Sequence, residues 1–314
     1  MDFQPTEEQG DLRAGVRDLL EGRYGREALR ASVDGADAGA PVVDRALWRE
    51  LGEAGFFALR LPESEGGVGL GLAEAVLVFE EAGRVLLPGP LVATHLAAGV
   101  VPGAAEGTAV VTACDLGAGL GGGLGGGLVA YAGEADAVLG AEGVPAGSPV
   151  RSADPLTPLH RVPSYADVSY GAEHRSVGAL LTAALQVGSA LRTVELAVRY
   201  AGEREQFGQP IGAFQAVKHL CARMLVRAEV ARTAVYAAAV TSDDGEIAAA
   251  KLLADEAAVL GARDCLQVHG GMGFTWEADV HLHLKRAWVR AEQWRTAGEA
   301  EELLAAELLG SAAV

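Results

Sequence analysis

The sequence predicts a mainly helical protein with a small β domain in the middle. Residues 1–102 and 171–314 carry apolar side chains at spacings of three and four residues, which is typical of amphipathic helices. Residues 103–170 instead alternate short apolar runs with Gly, Pro, Asp and Ser, as short strands and turns do. These changes divide the chain into an N-terminal helical domain, a reduced middle β domain and a C-terminal helical domain.

The N-terminal domain contains several helix signals in succession. Thr6–Gln9 forms a predicted capping box, after which leucine and valine side chains recur at helical spacing. Asp44 is the predicted N-cap of a further helix, which Gly55 ends. Two more apolar helices are predicted at about 71–85 and 90–100.

The middle domain contains a glycine-rich run, Gly117–Gly127, that begins as G-x-G-x-x-G between predicted strands at Ala109–Ala113 and Leu128–Tyr131. In a dinucleotide fingerprint the third glycine opens a helix, and a carboxylate such as Glu134 or Asp136 would bind the ribose. Here the glycines continue, no helix start follows, and no α/β alternation surrounds them. The run therefore favours a flexible loop between two strands.

The C-terminal domain is predicted to form an antiparallel bundle of four long helices. Leu, Ala and Val recur at helical spacing near 176–202, 213–241, 246–268 and 297–309. The links between these stretches are short enough to place consecutive helices side by side.

Composition excludes several classes of function. The formal net charge of −17 leaves no basic face for nucleic acid or for an anionic membrane surface. The chain begins without the basic and apolar regions of a signal peptide, and no plain apolar run is long enough to span a bilayer. Cys114, Cys221 and Cys265 form no C-x-x-C pair and are predicted to be free thiols. We therefore expect a soluble, cytoplasmic protein.

Two segments of the C-terminal domain carry distinctive motifs. Arg204–Met224 contains R-x-Q-F-G-x-P-I, and Gln267–Ala287 contains Q-x-x-G-G-x-G-F. From the residues alone, the first segment predicts a helix that ends at Phe207–Gly208 and a new helix near Ala213. At that helix end the Arg204 guanidinium would offset the helix dipole, so a purely structural helix hairpin is one interpretation.

Both segments, together with Ala46–Leu91 near the N-terminus, closely resemble the acyl-CoA dehydrogenase family. The resemblance covers nearly the whole chain in the right order. It implies an N-terminal helical domain, a middle β-barrel-like domain and a C-terminal four-helix bundle. It also implies dimers, or dimers of dimers, that assemble through the bundle and hold FAD at the subunit interface.

The resemblance further implies which residues bind the cofactor. Four would contact the FAD of the adjoining subunit: Arg204, Gln206, Phe207 and Gln215. Five would cover its ADP portion: Gln267, Val268, His269, Gly270 and Gly271. The residue types suit this role, because a guanidinium can bind two pyrophosphate oxygens and paired glycines allow close approach of the main chain.

The sequence departs from the family at the expected catalytic base. In this family a carboxylate removes a proton from the α carbon of an acyl-CoA thioester, while the β hydrogen leaves as hydride to the flavin. The two positions that carry the glutamate in different members correspond to Trp294 and Gly178, so no catalytic residue is predicted. The middle domain also lacks the family's Thr-Glu-Pro strand and loop, which hold the flavin ring.

These departures resemble the shortened subunit of actinobacterial α2β2 acyl-CoA dehydrogenases, which act on CoA thioesters of steroid side chains. The resemblance predicts a non-catalytic subunit that binds the ADP part of an FAD, one per heterodimer. A catalytic partner would supply the flavin cleft and the glutamate and would bind most of the acyl-CoA.

Two alternatives remain open. A self-sufficient homodimeric flavoenzyme would use Glu277 or Glu292 as its base, and a purely structural helical subunit would bind no cofactor. No metal site is predicted, because His281 and His283 point to different faces of a helix and no Cys or carboxylate completes a ligand set. Trp294 is hypothesised to fill an unused substrate cleft.

Overall fold

The computed structural model describes residues 5–116, 127–163 and 170–311. Ten α-helices and seven short strands lie in these residues. The N-terminal domain has five of the helices: α1 (Glu7–Arg23), α2 (Arg26–Asp37), α3 (Arg45–Glu53), α4 (Leu72–Arg84) and α5 (Leu91–Ala97). The mainly helical fold with a small β region is therefore confirmed.

The predicted helix starts of the N-terminal domain are confirmed. The Thr6 hydroxyl accepts from the main-chain N–H of Gln9 at 3.3 Å, and the Gln9 side chain accepts from the Thr6 N–H at 2.9 Å. The Asp44 carboxylate accepts from the N–H of Ala46 at 2.8 Å at the start of α3. Helix α2 was not predicted, since its start at Gly25 has no side-chain cap.

The middle domain is a small, irregular set of strands. Strand β1 (Val111–Thr112) pairs in parallel with β3 (Ala137–Val138). The other three strands form an antiparallel sheet in the order β2-β5-β4: β2 (Gly127–Ala130), β4 (Ser148–Val150) and β5 (Leu159–Val162). Most of the predicted glycine loop, residues 117–126, lies outside the described residues.

The two carboxylates after the glycine run are engaged in the fold. Glu134 accepts from the N–H groups of Val42 and Val43 at 2.8–3.1 Å. Asp136 accepts from the N–H of Val110 at 2.7 Å and pairs with Arg45. Both carboxylates therefore connect the middle domain to the N-terminal domain or to its own strands.

The C-terminal domain is a bundle around one long central helix. Its members are α6 (Ala172–Glu203), α7 (Gln215–Thr241), α8 (Asp244–His269), α9 (Val280–Ala291) and α10 (Ala297–Ser311). Helix α6 is long and apolar enough to cross a membrane, but 94% of its apolar window is buried, as expected for the core helix of a bundle. Helix α9 joins the four helices that the periodicity predicts.

Close helix packing fixes the N-terminal domain on the bundle. A Cβ atom at Gly188 of α6 would stand 1.9 Å from the carbonyl oxygen of Glu80 in α4. A Cβ atom at Gly83 of α4 would stand 2.1 Å from the carbonyl oxygen of Leu185 in α6. Only glycine permits this approach of two main chains, so the α4–α6 crossing is set by these two residues.

One buried arginine joins all three domains. Arg286 of α9 is 3% exposed, and its Nε donates to the fully buried carboxylate of Asp154 in the middle domain. Its Nη1 donates to the carbonyl oxygen of Leu87 in the N-terminal domain at 3.2 Å. Thr157 adds a hydrogen bond of 2.6 Å to Asp154. A buried charge with these partners fixes the domains relative to one another.

Candidate functional site

The first motif forms a β-hairpin at one end of the bundle. Helix α6 ends at Glu203, close to the end of the helical stretch predicted near 176–202 and four residues before the end predicted at Phe207–Gly208. The Arg204 N–H donates to the carbonyl oxygen of Tyr200 at 2.8 Å. Strands β6 (Glu205–Gln206) and β7 (Gln209–Pro210) then pair in antiparallel fashion. The helix ends early because the two loop residues need left-handed backbone to reverse the chain.

Those loop residues are Phe207 and Gly208, with φ of +54° and +79°. A phenylalanine with positive φ is uncommon and strained, and such strain often occurs at functional sites. The Phe207 side chain is 91% exposed, with one edge-to-face ring contact, to Phe214, at 6.0 Å between centroids. Burying a side chain of this size is worth about 1.5–3 kcal/mol, so a surface that covers it would bind with appreciable affinity.

The polar residues of the first motif are all exposed. Arg204, Gln206 and Gln215 lie on the surface, and Gln215 is the first residue of α7. Among the described residues, the Arg204 guanidinium makes no ion pair. As far as the described residues show, the hairpin and the start of α7 therefore present one free cation and two free amides to a ligand or partner.

The second motif forms the end of α8. Gly270, with φ of +58°, ends the helix, and its N–H donates to the carbonyl oxygen of Gln267. The side chain of Gln267 and the main chain of Gly271 are exposed. The side chain of Val268 is buried at 7% exposure, so this residue can offer a ligand only its main chain.

The two motifs lie at the same end of the bundle. The ring of His269 stacks on the ring of Tyr200 at 4.2 Å between centroids, and Tyr200 immediately precedes the hairpin. The His269 Nδ1 atom donates to the carbonyl oxygen of Cys265 at 2.8 Å, which fixes the ring. Three more large apolar side chains are exposed in the second motif and just after it: Met272, Phe274 and Trp276. Exposed apolar residues of this size beside free polar groups indicate a binding surface.

The two positions expected to hold a base are also brought together. Gly178 lies inside α6, and a Cβ atom there would stand 2.2 Å from Cδ2 of the Trp294 indole. Trp294 is 3% exposed, and its backbone is left-handed, with φ of +62°. Its N–H donates to the carbonyl oxygen of Asp115 at 2.7 Å, and its ring lies 5.6 Å from the ring of Tyr170. The indole therefore occupies the space that a side chain at 178 would need.

A cavity of about 30 Å³ lies beside Trp294, between the middle domain and α9. This volume holds about one water molecule, and an acyl thioester needs far more. Asp115 is the only carboxylate among the described residues that line it, and it accepts from the Gln293 side chain at 2.9 Å. Burial raises the pKa of Asp115 to about 7.

Comparison with known sequences establishes the family. Residues 6–111 match the model of the N-terminal domain of acyl-CoA dehydrogenases, and residues 174–302 match that of the C-terminal domain. The acyl-CoA dehydrogenase IpdE2 of Mycobacterium tuberculosis is 36% identical over 295 residues, which cover 90% of this chain and 92% of that protein. The chain belongs to the acyl-CoA dehydrogenase family.

Another relative in this family is about twice as long. The acyl-CoA dehydrogenase FadE34 of M. tuberculosis is 34% identical over 313 residues, which cover 88% of this chain but 44% of that protein. The ChsE4–ChsE5 complex of M. tuberculosis includes a chain with a TM-score of 0.83 and 26% identity, covering 98% of this chain and 99% of that one. A Tcur3481–Tcur3483 steroid ACAD chain has a TM-score of 0.82 at 23% identity, over 98% of this chain and 99% of that one.

In an acyl-CoA dehydrogenase family member, the position of each remaining acidic residue bears on whether it could act as the base. Glu277 and Glu292 are exposed, and neither lines the cavity beside Trp294. The carbonyl oxygen of Glu277 accepts from Arg26 of the N-terminal domain at 3.1 Å. Asp115, which does line the cavity, was missed by sequence reasoning. Its one sequence signal is that a carboxylate directly follows the strand predicted at Ala109–Ala113.

The histidines near the second motif serve the fold. His283 is buried, shares a hydrogen bond of 2.8 Å with the Ser189 hydroxyl, and has a pKa that burial and nearby arginines lower to about 3. The ring of His281 stacks on Trp276 at 5.2 Å. In the segments that the structure describes, no three His, Cys, Asp or Glu side chains are grouped to hold a metal ion.

Proposed function

We propose that this chain is the non-catalytic subunit of a heteromeric, FAD-dependent acyl-CoA dehydrogenase and binds the ADP part of a shared FAD. The observation that carries the proposal is the contact between Trp294 and Gly178. Neither expected base position has a carboxylate, and the indole closes the space between them. A positioned base contributes about 10²–10⁴ in rate, so a chain without one depends on a partner.

The surface residues fit the ADP end of FAD. The free guanidinium of Arg204 can bind pyrophosphate oxygens, and the exposed amides of Gln215 and Gln267 can bind the ribose or adenine. A Cβ atom at Gly270 or Gly271 would meet no atom within 4 Å, so the main chain there is open to a ligand. When bound, FAD supplies the acceptor for the hydride that leaves the acyl group.

The same chain does not fit the flavin ring. A cavity of about 30 Å³ beside Trp294 has no room for an isoalloxazine, and the sequence lacks the family's flavin-holding motif. We infer that an unlike acyl-CoA dehydrogenase subunit holds the ring, the base and most of the acyl-CoA. The ChsE4–ChsE5 complex and the Tcur3481–Tcur3483 protein are each named with two different components, which supports an assembly of this chain with an unlike subunit.

The substrate class follows from the relatives and not from a pocket. One of the similar structures, the Tcur3481–Tcur3483 protein, is named a steroid ACAD, so we propose a CoA thioester of a steroid side chain. FadE34 matches this chain over 44% of its own length, which leaves room in that protein for a second unit on the same polypeptide. We further propose that this chain forms an α2β2 assembly with its catalytic partner.

A self-sufficient enzyme is the second candidate, and one observation favours it. Asp115 lines the cavity and has a pKa raised to about 7, as a general base at neutral pH requires. Turnover assays separate the two candidates. The chain should be inactive with acyl-CoA alone and active after co-purification with an acyl-CoA dehydrogenase that has the glutamate. Asp115→Asn should leave the activity of the complex unchanged. Turnover by the chain alone that Asp115→Asn abolishes would favour the second candidate.

A further inference from the structure

The cavity beside Trp294 has an unusual distribution of charge. Arg286 and Arg290, one turn apart on α9, both line it, and each is only 3% exposed. Two guanidinium groups one helical turn apart repel one another, and burial has removed the water that would hydrate each charge. Their neighbours therefore decide whether both charges are compensated.

The positive charges outnumber the negative ones that pair with them. Arg286 is paired with Asp154, but its Nη2 atom has no hydrogen-bond partner in the part of the chain that the structure describes. The Arg290 guanidinium donates to the carbonyl oxygen of Leu185 at 3.2 Å and forms no ion pair among the described residues. Burial and the neighbouring Arg286 lower the pKa of Arg290 to about 9, so it remains charged at neutral pH. Within residues 5–116, 127–163 and 170–311, one buried positive charge is thus left without a counter-charge.

Other ionisable groups around α9 do not supply it. Lys251, whose ammonium group donates to the Arg290 carbonyl oxygen at 3.2 Å, is matched by its own partner Asp255. His283 is kept neutral by its lowered pKa. Asp115 lines the same cavity but forms no ion pair with either arginine, and its raised pKa leaves a large fraction protonated near neutral pH.

We propose that this cavity binds a small monovalent anion of the chloride class, held by the Nη2 group of Arg286 and the guanidinium of Arg290. A volume of about 30 Å³ accepts one particle of the size of a water molecule or a halide ion, and no polyatomic ligand with a carbon chain. A water molecule would satisfy the unpaired Nη2 donor but would leave the excess charge in place. An anion would accept from the Nη2 donor and would also neutralise the excess charge. A buried guanidinium is strongly stabilised by a charged partner.

Thermal unfolding in matched salts tests this site. Tm is measured in sodium chloride and in sodium gluconate, whose anion is too large for the cavity, at equal ionic strength. Chloride should raise Tm in a saturable way for the wild type and for the control Arg175→Met, which removes a 43% exposed arginine. Arg290→Met removes the excess charge, so its Tm should be equal in the two salts.

Crystals of the wild type grown in sodium bromide provide a test that does not depend on any variant folding. An anomalous bromide peak between Arg286 and Arg290 is expected. Equal Tm of the wild type in both salts, or a bromide-grown crystal with only water at this position, would overturn the site. Neither measurement involves flavin or turnover, so failure here would leave the proposed subunit role untouched.

Discussion

The indole of Trp294 lies directly on the main chain of Gly178, and a methyl group at position 178 would stand 2.2 Å from Cδ2 of that ring. Both residues are buried, one inside α6 and one just after α9. These are the two positions at which the acyl-CoA dehydrogenase family is expected to carry its base. The ring of Trp294 can occupy this position only while residue 178 is glycine, because any other side chain would overlap the ring.

Gly178→Ala should destabilise the chain by about 1–3 kcal/mol or more, because the new methyl group overlaps a buried ring. The matched control is Gly202→Ala in the same helix, where a Cβ atom would meet nothing within 4 Å. That control should be neutral or stabilising by up to about 1 kcal/mol. Chemical denaturation of the two variants measures the difference.

A double-mutant cycle with Trp294→Gly tests the contact itself. Glycine suits the left-handed backbone at 294, where φ is +62°, and removes the ring. Gly178→Ala should then cost less in the Trp294→Gly background than in the wild type. Equal costs in both backgrounds would mean that the indole does not occupy the space above Gly178.

Asp115 should make stability depend on pH. Its pKa is raised to about 7 in the folded chain, against about 3.9 in an unfolded chain. Between these values the folded state holds a proton that the unfolded state has released, so the free energy of unfolding falls as pH rises through this window. Above the folded pKa that stabilisation is fully lost. Asp115→Asn cannot titrate, so Tm measured from pH 4 to 8 should fall less than for the wild type. Parallel curves would contradict the raised pKa.

The buried ion pair between Arg286 and Asp154 should matter more than any exposed pair. Asp154→Asn leaves a buried guanidinium without its carboxylate and should cost about 3–5 kcal/mol in unfolding free energy. The control is Glu50→Gln, which removes an exposed pair with Arg23 and should cost less than about 1 kcal/mol. If the two variants were equally stable, Asp154 would not anchor the middle domain to the bundle.

Phe207→Gly should have opposite effects on the isolated chain and on its assembly. Glycine relieves the strain of a positive φ, so the unfolding free energy should be unchanged or raised by up to about 1 kcal/mol. Loss of an exposed aromatic anchor should weaken partner or FAD binding by about 2 kcal/mol or more. Denaturation of the chain and titration of the complex measure the two effects. A variant that binds as tightly as the wild type would remove Phe207 from the binding surface.

Local signals in the sequence predicted much of the fold, but they could not predict contacts between residues far apart in the sequence. The caps at Thr6 and Asp44 depend on residues three or fewer positions away, so pattern alone places them. Periodicity predicted the end of α6 near residue 202, but the hairpin after it was not predicted, because the left-handed conformation of Phe207 goes against its residue type.

Part of the candidate site could likewise be predicted from the sequence, and part of it could not. The surface motifs at Arg204 and Gln267 could be located from family resemblance, and their binding of FAD stays a prediction. Trp294 was hypothesised to fill the substrate cleft, but its contact with Gly178 could not be predicted, because the two residues meet only through tertiary packing. Asp115 was missed for a related reason: its raised pKa comes from burial, which no short sequence pattern encodes.

The central claim is that this chain binds the ADP end of an FAD whose ring an unlike subunit holds, and flavin content tests it most directly. FAD is quantified in the purified chain and in its complex with a catalytic acyl-CoA dehydrogenase subunit. The variants are wild type, Arg204→Ala and the control Arg199→Ala, which replaces an exposed arginine in the preceding helix α6. We predict no FAD in the chain alone, one FAD per heterodimer in the wild-type and Arg199→Ala complexes, and a large loss with Arg204→Ala. A full complement of FAD in the chain alone, or an Arg204→Ala complex that retains it all, would contradict the claim.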